Sequence, residues 1–213
     1  MVSVNARVLT AVSAAATYAV LFTGLVAQWA WLEAADAWVL HRFHDYGANR
    51  PGWVGFWRAV STVLGPASLR ILALAGIAVA LLRRRVRTAA FVALSVLGMG
   101  LVTAAAKALS ERPRPATALA FEASTAFPSG HALGIAVAVL VVATVSWPAL
   151  SGSQKTVMVA GGAFVVLLVG VSRVALNVHH PSDVLAGWAL GYLWYLACLA
   201  AVFRSGVRHP RPA

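Results

Sequence analysis

Six apolar stretches, at roughly residues 8–31, 65–82, 88–109, 129–147, 156–174 and 183–203, are long enough to cross about 30 Å of hydrocarbon as tilted helices. Lipid offers no partner to a bare peptide group, so segments of this length must close their hydrogen bonds internally, as helices. With 61% hydrophobic and 11% charged residues in 213, polar surface is too scarce to cover a water-soluble globule. The expected fold is all-α: a six-span transmembrane bundle, one domain over residues 1–213, with loops too short for a second. The first stretch exceeds the 7–15 residues, roughly, of a signal-peptide core, so it is expected to remain as a span.

Between the first two spans, residues 33–64 are too polar to cross. Ala35, Trp38, Val39 and Phe43, then Trp53, Phe56, Trp57, Val60 and Leu64, recur at spacings suited to interfacial amphipathic helices. Trp29, Trp31, Trp38, Trp53 and Trp57 fall in or beside this stretch, where an aromatic belt would place them.

The formal charge of +11 is split among short loops and tails, which argues against a nucleic-acid-binding face. It reads instead as topology. With a cytoplasmic N-terminus, that side holds Arg7, Arg83, Arg84, Arg85, Arg87, Lys155, Arg204, Arg208 and Arg211. The other side holds fewer cations once Lys107, Arg114 and Arg173 are set aside as chemical, and all six acids. Both termini are then expected in the cytoplasm of a cell-membrane protein. Cys198 has no partner in the chain and reads as packing. His41, His44 and Asp45 lack a third firm ligand and read as part of an interfacial helix rather than a zinc site.

On this topology the ends of spans three and five and the starts of spans four and six share one face, outside the cytoplasm. Three blocks of polar residues converge there: Lys107 with Arg114-Pro115, then Pro128-Ser129-Gly130-His131, then Ser172-Arg173 with His179 and Asp183. Charges cost roughly 2.5–3.5 kcal/mol each at a membrane-helix centre, so such a grouping marks a functional site. Lys107, Arg114 and Arg173 supply three positive charges for one anion, the arginines with forks that grip two oxygens at once. Pro128 to His131 opens an apolar helix whose free amides, with Gly130 allowing close approach and the Ser129 hydroxyl beside it, form an anion cradle. His131 reaches a leaving oxygen from the same turn. Asp183 is placed to hold the His179 imidazole by one nitrogen, leaving the other to attack phosphorus. His180 reads as a helix-start residue; Glu111 and Glu122 read as solvated loop residues; Arg112 is divided between the phosphate site and the loop surface.

The pattern Lys107-x6-Arg114-Pro115, Pro128-Ser129-Gly130-His131 and Ser172-Arg173-x5-His179-x3-Asp183 resembles the complete signature of the type 2 phosphatidic acid phosphatase superfamily, in its bacterial membrane branch. The resemblance implies that His179 forms a phosphohistidine, Asp183 orients it, and His131 protonates the leaving group and later activates water. Lys107, Arg114, Ser129, Gly130 and Arg173 would bind the phosphoryl group, with no metal and no cofactor. The expected partner is a membrane lipid phosphate in the bilayer, with an undecaprenyl-type polyprenyl diphosphate first, then phosphatidylglycerol phosphate and phosphatidic acid. A lipid phosphotransferase and a lipid or anion carrier are the alternatives. An intramembrane protease using Ser129 would leave the three cations without a role.

Overall fold

A computed structural model describes residues 4–203. Among these, nine α-helices and no strand form: α1 (Val4–Val26), α2 (Ala30–Gly47), α3 (Pro51–Val63), α4 (Pro66–Leu82), α5 (Val86–Val92), α6 (Gly98–Ser110), α7 (Gly130–Ser146), α8 (Gly152–Ala175) and α9 (Pro181–Phe203). A π-helical turn, Ala93–Leu97, joins α5 to α6 into one continuous rod. Six candidate spans result, the second running from Pro51 to Leu82 across the α3–α4 joint. Arg204, Arg208 and Arg211 of the charge count, and the C-terminus, lie outside the described residues.

Local chemistry sets the helix ends. Pro51, Pro66 and Pro181 open α3, α4 and α9, where a missing N–H costs nothing. Ser151 and Gln154 cap α8 reciprocally: the serine hydroxyl accepts from Gln154 N, and Ser151 N donates to Gln154 Oε1. The first span is shorter than expected. It ends at Val26 rather than residue 31, because Gln28 takes a left-handed conformation (φ 51°) and the chain turns before α2. Trp29 and Trp31 therefore belong to the turn and to α2.

The buried heart of the bundle is α7, closed on its inner face by α9. The small residues Gly187 and Gly191 let the two backbones meet: a Cβ at Gly187 would stand 2.6 Å from Ser129 O, and one at Gly191 2.8 Å from Leu133 O. Phe91, Val96, Met99, Leu133, Val137 and Cys198 pack the core between α5, α6, α7 and α9. Around it Leu74, Leu101, Leu109, Ile71 and Val157 are exposed, the belt that lipid would cover.

α7 and α9 start on the same face, tied by Ser129 N donating to Asp183 O at 2.9 Å. α6 and α8 end there, and α2 and α3 pack across the end of α8, against Val174, Ala175 and Leu176. One end of the bundle thus collects the polar blocks.

Candidate active site

Ser129 is the N-cap of α7, and its fully buried hydroxyl accepts from Ala132 N at 3.4 Å. That contact fixes the first turn and so the direction of His131. A Cβ on Gly65, at the α3–α4 joint, would lie 3.3 Å from His131 Nε2. The ring therefore sits against that joint and lines a cleft of about 370 Å³ with Arg58, Ser61, Thr62, Glu122 and Arg173.

The three cations of the sequence pattern come from three different elements. Lys107, in the last turn of α6, donates to Thr125 O. Arg114 spans the loop: Nε donates to Ser124 O (2.7 Å) and Nη1 to Val178 O (2.6 Å). Arg173, on α8 and 2% exposed, donates to Ser61 Oγ and Glu122 Oε1, and its Nε has no partner. Lys107, Arg114, Arg173 and His179 all lie within electrostatic range of the His131 ring. The residues of the pattern, 76 positions apart in sequence at their extremes, meet in one place.

Arg114 Nη1 also lies 2.9 Å from His179 Nε2. A guanidinium only donates, so Nε2 carries the lone pair and Nδ1 the proton. Nδ1 points toward Asp183 Oδ2 at 3.5 Å, within ion-pair reach and outside hydrogen-bond geometry. The carboxylate is held more closely by its neighbour: Oδ2 accepts from His180 N at 2.8 Å and lies 3.1 Å from His180 Nδ1. Burial, opposed by Asp183 and reinforced by Arg114 and Arg173, lowers the His179 pKa to about 4. The imidazole is neutral at neutral pH, and its Nε2 lone pair accepts from Arg114.

Two loop residues differ from the sequence reading. Glu122 is not simply solvated: it pairs with Arg173, and although burial acts to raise its pKa, the Arg173 and Arg114 charges hold it below the usual carboxylate value. Arg112 neither solvates the loop nor faces the cleft. It is 8% exposed and grips Asp183 Oδ1 (2.6 Å) with Nη1 and Asp36 Oδ2 (2.8 Å) with Nη2. Asp36, on α2, had no place in the sequence pattern. The available signal was its register, since Leu32, Asp36 and Leu40 fall four apart on the buried face of that helix. His44 Nδ1 is 3.1 Å from Thr117 O, which ties α2 to the same loop.

An all-α membrane bundle gathering two histidines, a buried aspartate and three cations at one end defines a class, and the comparisons give it a family. The family model described as PAP2 superfamily matches residues 88–206, more than half of the chain, and the chain belongs to that superfamily. A curated relative, phosphatidylglycerophosphatase B of Bacillus subtilis (strain 168), is 44% identical over 89 residues, which span 40% of this chain and 43% of that protein. The chain thus matches less than half of that relative's length. The fold resembles the crystal structure of a transmembrane PAP2-type phosphatidylglycerolphosphate phosphatase from Bacillus subtilis, with a TM-score of 0.77 and 25% identity, covering 95% of this chain and 99% of that one. The protein is a multi-pass membrane protein of this family.

Proposed function

We propose that this protein is a lipid phosphate phosphatase that works through a phosphohistidine at His179. The observation that carries the reading is the unprotonated Nε2 of His179, a buried neutral imidazole nitrogen that meets Arg114 at 2.9 Å with Arg173 in electrostatic range. In the first step Arg114 turns its Nη1 from Nε2 to a phosphate oxygen, Nε2 attacks phosphorus in line, the bond from phosphorus to the lipid oxygen breaks, and His131, held as imidazolium by the bound phosphate's negative charge, gives that oxygen a proton. In the second, His131 takes a proton from water, the hydroxide attacks the phosphohistidine, and phosphate leaves with His179 restored. Arg114, Arg173 and Lys107 hold the nonbridging oxygens, with the α7 N-terminus at Ser129 and Gly130 behind them. Asp183 supports the positive charge that develops on His179. No step calls for a metal.

The phosphate would enter from the headgroup layer on the extracytoplasmic side while the tail stays in hydrocarbon. The names printed for the Bacillus subtilis relative and for the Bacillus subtilis structure support phosphatidylglycerol phosphate as the first candidate, ahead of the polyprenyl diphosphate that compartment alone favours. Purified protein should release phosphate from at least one of phosphatidylglycerol phosphate, undecaprenyl diphosphate and phosphatidic acid. His179→Ala should cut that rate about 10³-fold or more while the protein still folds. Full activity in that variant would exclude the nucleophile assignment, and phosphate release from none of the lipids would exclude the reading.

A further inference from the structure

Behind His179 lies a second buried charge cluster that the phosphoryl chemistry above does not use. Arg112 bridges two carboxylates, Asp183 at the start of α9 and Asp36 on α2, and donates to Ser182 Oγ at 2.7 Å. Asp36 in turn accepts from Ser182 N (3.0 Å) with Oδ1 and from Ser182 Oγ (2.5 Å) with Oδ2. Asp36 is 3% exposed and Asp183 fully buried. A buried carboxylate on a peripheral helix, bonded three times to one structure, is too costly to be incidental.

The charges decide what the cluster does. If Asp183 met Arg112 alone, the pair would be neutral and little negative charge would remain to support an imidazolium on His179. With Asp36 on the other prong, the trio keeps one net negative charge next to that ring. Burial works against the Arg112 cation, and the carboxylates of Asp183 and Asp36 outweigh it, holding its pKa above the usual arginine value.

We propose that Asp36 and Arg112 are positioning residues for the nucleophile: Arg112 locks the Asp183 carboxylate in place, and Asp36 absorbs enough of the arginine's charge to leave Asp183 effective toward His179. This rests on the phosphatase reading above. It assigns α2 a task in the chemistry, as the element that delivers the balancing charge from outside the sequence pattern. Other groups share the field. Asp183 faces His179 from α9, Arg114 and Glu122 from the loop, Arg173 from α8 and His131 from α7, while His180, just before α9, shares the Asp183 carboxylate and Lys107 on α6 acts on His131 and Asp183. These stay the same in every variant below.

The test is the acid limb of kcat/KM against pH in detergent, with whichever of phosphatidylglycerol phosphate, undecaprenyl diphosphate and phosphatidic acid the wild type hydrolyses fastest. Asp36→Asn removes a negative charge, so the His179 imidazolium is less stable and the limb should move to lower pH by roughly 0.5–1 unit, with kcat down about tenfold and KM within about twofold. Arg112→Gln removes a positive charge and should move the limb the opposite way. The double variant should bring the limb back near wild type, and Arg112→Lys, which keeps the charge, should leave it in place. A cluster that only holds helices together would lower the folded fraction and leave the limb unmoved. An unmoved limb in Asp36→Asn, or one that rises, overturns the inference even if Arg112→Gln fails to fold. Wild type without phosphate release from any of the three lipids would instead defeat the underlying reading, and the His179→Ala control separates the two failures.

Discussion

Arg173 and Glu122 show how single residues define the resting site. A guanidinium 2% exposed already has a carboxylate on one prong, and on the proposed mechanism the incoming phosphate oxygens would take that place. Glu122→Gln removes the competitor, so inorganic phosphate should inhibit the enzyme at concentrations about threefold lower or more, a modest part of the ~1.4 kcal/mol that a tenfold change represents. The melting temperature should fall, because a buried cation loses its counter-charge. An unchanged inhibition constant would place Arg173 outside the phosphate path. At this scale the sequence was legible where residues recur in a spaced pattern and opaque where they do not. Lys107, Arg114, His131, Arg173, His179 and Asp183 are visible as blocks. Glu122, Arg112 and Asp36 are partners chosen by tertiary approach, and nothing local distinguishes a paired loop acid from a solvated one. Ser61 is similar, lying four residues past Trp57 on the buried face of α3 and reaching Arg173.

Helices place these residues, and the α7–α9 contact sets the distance between the two histidines. Both rings hang from the first turns or the approach to those helices, so any spreading of the pair separates the proposed nucleophile from the proposed acid. Gly187→Ala puts a methyl 2.6 Å from Ser129 O, a backbone atom that cannot turn away. It should destabilise the protein in detergent by about 1–3 kcal/mol, and it should lower kcat by more than the loss of folded protein explains. Gly161 has nothing within 4 Å of a built Cβ, so Gly161→Ala should be neutral or stabilising by up to ~1 kcal/mol through helix propensity. Equal effects at the two positions, read by thermal melting and by turnover, would remove the close-contact argument. The π-helical turn in the third span was not legible. Its Ser95 carbonyl accepts from Trp194 Nε1 at 3.0 Å, and a Cβ at Gly98 would stand 2.9 Å from Trp194 Cζ2, so the bulge answers to a side chain on α9 rather than to its own residues. The break at Gln28 was hidden for a related reason, since a left-handed non-glycine residue leaves no mark in an apolar run.

For the molecule as a whole, hydropathy settled the number of spans because lipid leaves the backbone so few alternatives, and the termini of those spans then brought distant blocks to one end. Which side that end faces is a separate matter, decided by where cations fall. The turn Arg83–Arg85 closes α4 at the end opposite the site, and Arg7 lies beside Leu199 and Phe203 at the far end of α9. The described acids Glu33, Asp36, Asp45, Glu111, Glu122 and Asp183 lie on α2, on the site-side loop and at the α9 start. Cations near a span hold their flank in the cytoplasm, so the site is expected outside. Native Cys198 is 1% exposed and gives little background for thiol labelling. Phe121, 90% exposed in the loop over the cleft, and Leu82, 84% exposed beside the arginine turn, offer one reporter on each side. In intact cells a membrane-impermeant maleimide should label Phe121→Cys and leave Leu82→Cys untouched until the membrane is permeabilised. The reverse pattern would put the cleft in the cytoplasm, where an outward-facing headgroup cannot reach it, and would require a substrate drawn from the inner leaflet.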